Sequence, residues 1–217
     1  MKHDFTELVF ILDKSGSMAG LEKETIAGFN DMLAKQRGVA GDCNLTTVLF
    51  DHTYRLLHER RDTSSVKPIS EEEYAVGGNT ALHDAIGRTI HKFDDVMRIA
   101  CAERREGKVL FVIITDGLEN SSRDFSAVDI RQAIEHRTSQ HGWEFIFLGA
   151  NMDAVTTAVD LGIARNRAQS FHADKAGVSM NFRALGETTV DFRHKASVKE
   201  DWNSTIDEDY KERGKKQ

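Results

Sequence analysis

Three short segments of the sequence carry oxygen-bearing side chains in a pattern that could hold a metal ion. They read DKSGS at residues 13–17, GGNT at 77–80 and TDG at 115–117. Small hard cations such as Mg²⁺ bind oxygen ligands, whereas Zn²⁺ and copper favour the thiolates and imidazoles that these segments lack. The candidate ligands are two carboxylates and three hydroxyls: Asp13, Ser15, Ser17, Thr80 and Asp116.

Each segment taken by itself has a simpler explanation. Ser17 and Thr80 are residue types that often cap the first turn of a helix, and an aspartate before a glycine, such as Asp116, is typical of a turn. A metal site is the better interpretation only if the fold brings the three segments together. The elements around them therefore decide between the two interpretations.

Runs of apolar residues predict the strands of the fold. Residues 8–12, 109–114 and 145–148 are apolar at every position, which is typical of parallel strands covered on both faces. Residues 45–50 and 54–59 are predicted as two further strands. Because only the three residues between them form the connection, these two strands must pair antiparallel.

Apolar residues spaced three and four apart predict five helices, and residues 169–172 are a weak candidate for an edge strand. The helical stripes are Ile26, Phe29 and Leu33; Leu82, Ala85, Ile86, Phe93, Met97 and Ala100; Ile130, Ala133 and Ile134; Val155, Ala158 and Val159; and Val178, Phe182 and Leu185. Strands that alternate with helices form a mostly parallel sheet with helices on both faces. Ligands bind such sheets beyond the carboxyl ends of the strands, and two of the three polar segments directly follow strands 8–12 and 109–114.

The composition is that of an ordinary globular protein and indicates one main domain. The chain has 217 residues and a single proline, Pro68, so no proline-rich linker divides it. We assign residues 1–195 to one domain and residues 196–217 to a C-terminal tail. The basic residues of the tail are expected to be solvated and frayed; they are Lys211, Arg213, Lys215 and Lys216.

Charge and cysteine content restrict the partners and the compartment. A formal net charge of −6 argues against binding to nucleic acid, which needs a basic surface. The N-terminal residues contain no apolar stretch typical of a signal peptide or a membrane span. Cys43 and Cys101 lack C-x-x-C spacing and are expected to be buried and reduced. We therefore predict a cytoplasmic protein that binds neither nucleic acid nor membranes.

With the three segments in this order, the sequence resembles von Willebrand factor type A domains over about residues 5–190. Asp13, Ser15 and Ser17 match the D-x-S-x-S signature of that family, while Thr80 matches its threonine loop and Asp116 its final aspartate. The resemblance implies an α/β fold of three layers, doubly wound, in which a mostly parallel sheet has one antiparallel edge strand. It also implies a metal-ion-dependent adhesion site, where a divalent cation (Mg²⁺, or Mn²⁺ or Ca²⁺) keeps one position open for a partner's Glu or Asp.

Three further polar residues lie near the predicted site. Asp84 falls four residues after Thr80, on the same face of a predicted helix, where it could orient the site or serve as an acid in the first helical turn. His83 and Glu119 lie near the predicted rim. They could shape specificity or could be ordinary polar loop residues.

The leading hypothesis is a divalent-cation-dependent protein-binding module that is not an enzyme. The alternative is a metal-dependent phosphoryl-transfer hydrolase of the haloacid-dehalogenase kind, which also has an aspartate after its first strand. Those enzymes use D-x-D, and here Ser15 stands where the second, acid–base aspartate would be. A nucleotide-binding domain is disfavoured because neither G-x-G-x-x-G nor a P-loop pattern occurs. We therefore expect no hydrolysis of phosphate esters.

Overall fold

The computed structural model of the chain describes residues 5–99 and 107–214, with side chains for 5–96 and 107–214. Within these residues, six strands form one sheet and six α-helices cover it. The strands are β1 (Phe5–Asp13), β2 (Asp42–Phe50), β3 (Tyr54–Asp62), β4 (Lys108–Thr115), β5 (Glu144–Ala150) and β6 (Ala168–Phe171). The helices are α1 (Glu22–Arg37), α2 (Leu82–Ile99), α3 (Ala127–His141), α4 (Ala154–Asp160), α5 (Lys175–Lys195) and α6 (Ser204–Gly214).

The strands lie in the order β3-β2-β1-β4-β5-β6. All neighbours pair in parallel except β2 and β3, which pair antiparallel as their short connection requires. The chain runs outward from β1 to β3 and then returns to place β4 on the other side of β1, so the strand order reverses between β1 and β4. This topology confirms the predicted three-layer, doubly wound sheet with one antiparallel edge strand.

The central strand β1 explains why residues 8–12 are apolar at every position. All nine of its residues are buried. Leu8, Phe10 and Leu12 pack in a core that includes α1, α5 and the C-terminal helix α6. Val9 and Ile11 point the opposite way, into a core that includes α2, α3 and α4. Successive strand residues face opposite sides of a sheet, so a sheet with two covered faces needs an unbroken apolar run.

The predicted helical stripes lie on α1 to α5, apart from Ala100, which falls outside the described residues. On one face, α5 packs against α1 and carries a buried arginine, Arg193, at 3% exposure. Its guanidinium donates to the backbone carbonyls of Gln36, Val39 and Gly41 at 2.7, 3.0 and 2.7 Å. The last carbonyls of a helix have no partner within it, so this arginine caps the end of α1.

The residues after α5 return to the sheet. Val198, Trp202 and Ile206 are buried in the same core cluster as β1 residues, and α6 contacts β6. The indole Nε1 of Trp202 donates to the backbone carbonyl of Asn166 at 2.9 Å. This segment is therefore anchored by apolar burial and by a hydrogen bond, while the domain boundary at residue 195 stays a prediction.

The C-terminal residues Lys211 and Arg213 are not frayed as predicted, although the side chain of Lys211 is largely solvated, at 67% exposure. Both lie on α6, and each pairs with an aspartate four residues earlier. Arg213 also pairs with Asp174, the N-cap residue of α5. The sequence prediction failed because α6 buries few of its residues, so its apolar signal is weak. Lys215 and Lys216 lie outside the described residues.

The two edges of the sheet differ from each other. At one edge, the register of β3 against β2 shifts on both sides of Thr47, and Arg60 adopts a left-handed backbone conformation with φ of 45°. At the other edge, β6 has only four residues. Neither edge presents a long, flat apolar strand.

Cysteine placement and helix length bear on two further predictions. Cys43 is free and buried, as expected, and Cys101 lies outside the described residues. No helix within residues 5–99 or 107–214 combines the length and the apolar character needed to cross a membrane.

Replacing Trp202 with alanine should lower the free energy of unfolding by about 3–5 kcal/mol, because the change removes a large buried side chain and leaves a cavity. Tyr210→Ala, in the following helix, is the control: Tyr210 is 37% exposed, against 7% for Trp202, and its loss should cost less than about 1 kcal/mol. Urea unfolding followed by circular dichroism measures both. Equal small effects would contradict the packing of this segment into the core.

Candidate metal site

The loop after β1 folds around the carboxylate of Asp13. Its Oδ1 accepts the backbone N–H of Ser15 at 2.7 Å, and its Oδ2 accepts the hydroxyl of Thr115 at 2.6 Å. Because Thr115 is the last residue of β4, the second bond ties together the ends of the two neighbouring strands. Residues 16–18 then form a 3₁₀ turn that Ser15 precedes. The hydroxyls of Ser15 and Ser17 lie 3.0 Å apart.

Asp116, the first residue after β4, faces this turn. The Ser17 hydroxyl donates to its Oδ1 at 2.5 Å, and the amide of Asn151 donates to its backbone carbonyl at 3.2 Å. The other carboxylate oxygen, Oδ2, is buried and has no hydrogen-bond partner in the described part of the chain. Buried polar atoms normally have a partner. This oxygen therefore marks a position where a ligand atom would be favourable.

Backbone hydrogen bonds fix the loop that carries Thr80 against the loop after β1. The N–H of Gly77 donates to the carbonyl of Lys14 at 2.9 Å, and the N–H of Gly16 donates to the carbonyl of Gly78 at 3.0 Å. Gly78 has a φ of 78°, and a Cβ at this position would lie 2.1 Å from a histidine ring nitrogen. Glycine is therefore required at this point of contact between the loops.

The loop after β4 holds Thr80 from the other side. The N–H of Thr80 donates to Oδ1 of Asn120, and the N–H of Asn120 donates back to the carbonyl of Thr80, both at 3.0 Å. A Cβ on Gly117 would lie 2.8 Å from Oγ1 of Thr80 and 3.2 Å from Oγ of Ser17. The two hydroxyls thus border the small space that the missing side chain of Gly117 leaves open.

The five predicted side chains therefore meet at the carboxyl ends of β1 and β4, at the point where the strand order reverses. That they bind a metal stays a prediction. No group of three or more His, Cys, Asp or Glu side chains suited to a metal ion occurs among the described residues. Any cation bound at this edge would therefore depend on hydroxyl oxygens as well as carboxylates.

Sequence reasoning missed several residues that support the site. Lys14, between two of the five residues in sequence, forms a largely buried ion pair with Asp51. The backbone carbonyl of Asp51 in turn accepts the N–H of Ala81, next to the threonine loop, at 2.9 Å. The hydroxyl of the buried Tyr74 donates to the backbone carbonyl of Asp13. No local pattern could reveal these contacts, since the partners are far apart in sequence.

Asp84, Glu119 and His83 link the loop after β4 to the first turn of α2. Asp84 accepts the backbone N–H groups of residues 123–125, and these bonds hold its pKa below the usual range although burial alone would raise it. Glu119 accepts the N–H groups of residues 121–122 and of His83. Asp84 and Glu119 therefore fix the geometry of the loop, and these hydrogen bonds within the chain account for both side chains.

Electrostatics at the site favour a cation. Burial raises the pKa of Asp13 to about 6, and the neighbouring charge of Asp116 acts in the same direction, although hydrogen bonds from Thr115 and Ser15 oppose the shift. Burial also raises the pKa of Asp116, against the hydrogen bond from Ser17. A divalent cation among these oxygens would stabilise both ionised carboxylates and would reverse the shifts. The charge, the oxygen chemistry and the unpartnered Oδ2 all fit such an ion.

The fold is that of von Willebrand factor type A domains. Neither a protein-family model nor a curated protein matches the sequence. Among solved structures, the chain is similar to a von Willebrand factor type A protein from Catenulispora acidiphila, with a TM-score of 0.56 and 15% identity over 87% of this chain and 43% of that one. It is also similar to manganese-loaded TRAP from Plasmodium vivax, with a TM-score of 0.55 and 15% identity over 84% of this chain and 74% of that one.

A third similar structure is proximal thread matrix protein 1 from the mussel byssus, with zinc in its metal-ion-dependent adhesion site. Its TM-score is 0.58, with 12% identity over 88% of this chain and 47% of that one. The chain thus spans less than half the length of the mussel and Catenulispora structures. At these identities the likeness establishes the shared fold.

With EDTA present, the free energy of unfolding should fall as the pH rises from about 4 to about 6. In that range the folded protein keeps a proton on Asp13 that the unfolded chain has lost, so raising the pH removes stability. A pKa raised from 3.8 to about 6 corresponds to about 3 kcal/mol. Urea unfolding at successive pH values measures the slope. The amide of Asp13→Asn does not titrate, so in this variant the unfolding free energy should depend less on pH. If the slope is unchanged, other groups cause the pH dependence.

Proposed function

We propose that this chain is a divalent-cation-dependent protein-binding module. In this proposal Asp13, Ser15, Ser17, Thr80 and Asp116 hold the cation, and a Glu or Asp of a protein partner completes its coordination. The observation that carries the proposal is the buried Oδ2 of Asp116, which has no hydrogen-bond partner within residues 5–99 and 107–214. It lies at an edge where three hydroxyls and a second carboxylate converge.

The charge balance supports an open position for the partner. Asp13 and Asp116 together carry −2 when ionised, and the three hydroxyls add no charge. These two charges formally cancel a divalent cation, so in this proposal only one of the two aspartates binds it directly and the cation still attracts a further carboxylate. When bound, the cation would supply the positive charge that attracts the partner's carboxylate. The residues of this chain orient the oxygens around it.

The related structures support a divalent cation without selecting one. TRAP is loaded with manganese and the mussel protein holds zinc. For this chain we propose Mg²⁺, with Mn²⁺ or Ca²⁺ as the other oxygen-binding choices, since the site offers only oxygen side chains.

A binding role is favoured over catalysis by the surroundings of Ser15. A phosphoryl-transfer hydrolase would need a titratable acid at this position. Ser15 is instead a buried hydroxyl directed at Ser17. We therefore propose that the protein is not an enzyme, and that it acts on proteins and not on nucleic acids or membranes. A cytoplasmic location stays a prediction.

Mg²⁺ should stabilise the folded chain by about 2.7 kcal/mol at a concentration one hundred times its dissociation constant. Asp116→Asn keeps the shape of the side chain but removes its charge, and should lower the Mg²⁺ affinity about a hundredfold, equivalent to about 3 kcal/mol. Titration calorimetry and thermal unfolding measure the two effects. Asp31→Asn, an equal charge change at an exposed position of α1, is the matched control and should bind Mg²⁺ as the parent does. Equal affinity in Asp116→Asn would overturn the proposal.

Thr80→Ala should reduce the Mg²⁺ affinity about tenfold, whereas Thr80→Ser, which keeps the hydroxyl, should retain it. Both variants preserve the backbone bonds to Asn120, so the free energy of unfolding in EDTA should change by less than about 1 kcal/mol. Calorimetry on the two variants side by side gives the comparison. If serine binds as weakly as alanine, the hydroxyl has no role at the metal.

A further inference from the structure

A positive charge lies within the segment that carries three of the five proposed ligands. Lys14 stands between Asp13 and Ser15, so its Cα atom is about 3.8 Å from the Cα atom of each. Its side chain is only 13% exposed, and salt and water screen a charge less there than at the surface. A lysine in this position would by itself oppose the binding of a divalent cation nearby.

Asp51, in the turn between β2 and β3, supplies the opposite charge. Its carboxylate forms an ion pair with the ammonium group of Lys14, and its side chain is 7% exposed. The carboxylate also accepts the backbone N–H and the hydroxyl of Thr53, at 2.5 and 2.7 Å. Burial would raise the pKa of Asp51, but the hydrogen bonds from Lys14 and Thr53 hold it below its usual range. Asp51 is therefore ionised at neutral pH, and the pair carries no net charge.

The ion pair is not needed to join the loops of the site, because backbone hydrogen bonds already join them. The N–H of Lys14 donates to the carbonyl of Phe50 at 2.7 Å, and its carbonyl accepts the N–H of Gly77 at 2.9 Å. The carbonyl of Asp51 accepts the N–H of Ala81 at 2.9 Å. A buried ion pair also adds little to stability compared with apolar side chains of similar volume. The charges of the pair therefore require a role other than holding the loops together.

Resting on the proposed function, we propose that Asp51 sets the cation affinity of the site by neutralising Lys14. Asp51 acts through the lysine and is not itself a ligand of the cation. If the carboxylate of Asp51 is removed, the uncompensated ammonium group repels the cation. If the ammonium group of Lys14 is removed, the uncompensated carboxylate attracts the cation. The two changes therefore alter the affinity in opposite directions, whereas a loss of loop geometry would lower it in both.

The test is titration calorimetry with Mg²⁺ on the full chain and on Asp51→Asn, Lys14→Met and the double variant. Asp51→Asn should lower the Mg²⁺ affinity about tenfold, and Lys14→Met should raise it about threefold. The double variant lacks both charges and should bind within about twofold of the parent. Asp94→Asn is the matched control, since it breaks a partly buried ion pair with Arg137 about 18 Å along α2 from the start of that helix. It should bind Mg²⁺ as the parent does.

The outcomes separate the inference from the proposed function. A lower affinity in both single variants, or a double variant that binds no better than Asp51→Asn, would overturn the charge role and leave the metal-dependent module standing. An unchanged affinity in Asp51→Asn would do the same. Urea unfolding in EDTA shows whether each variant folds. Should Asp51→Asn not fold, Lys14→Met decides, because an unchanged or lower affinity there contradicts the proposal. Absence of Mg²⁺ binding to the parent chain would overturn the proposed function and the inference with it.

Discussion

The main physical constraint at the carboxyl edge of the sheet is the burial of two neighbouring carboxylates, those of Asp13 and Asp116, where β1 and β4 end. Asp13 and Asp116 cannot move apart, because each is fixed to a central strand of the sheet. Burial disfavours the ionised form of both side chains and raises the pKa of each, and the charge of Asp116 acts in the same direction on Asp13. Hydroxyls from Thr115 and Ser17 compensate only in part, since one oxygen of Asp116 has no hydrogen-bond partner among the described residues. A cation bound here would supply the positive charge that these neutral donors lack.

The remainder of the site serves to hold oxygens in place around that pair. Thr80 does not follow a strand, so it needs support from both sides, and the paired backbone bonds with Asn120 supply it. Asp84 and Glu119 bind the loop after β4 to the start of α2, whose Leu82, Ala85 and Ile86 are packed in the core. The geometry is therefore set by the folding of the protein before any ligand arrives, which is the condition for a selective binding site.

The sequence was enough to predict the strands, the antiparallel hairpin and the convergence of the five side chains. Those features follow from local signals: unbroken apolar runs, a three-residue connection and polar segments directly after strands. Contacts between distant residues have no such signal. The bond from Tyr74 to the carbonyl of Asp13, and the capping of α1 by Arg193, depend on neighbours that only the folded chain defines. The burial of Trp202 was missed because the segment around it is mostly polar.

The unlike edges of the sheet have a consequence for the behaviour of the protein at high concentration. Strands at sheet edges can recruit strands of other molecules and start aggregation. Here the irregular register of β3, with its charged residues, gives a poor template on one side, and the four residues of β6 give a very short one on the other. Strand-to-strand association is thus discouraged at both ends of the sheet, even when the protein is concentrated.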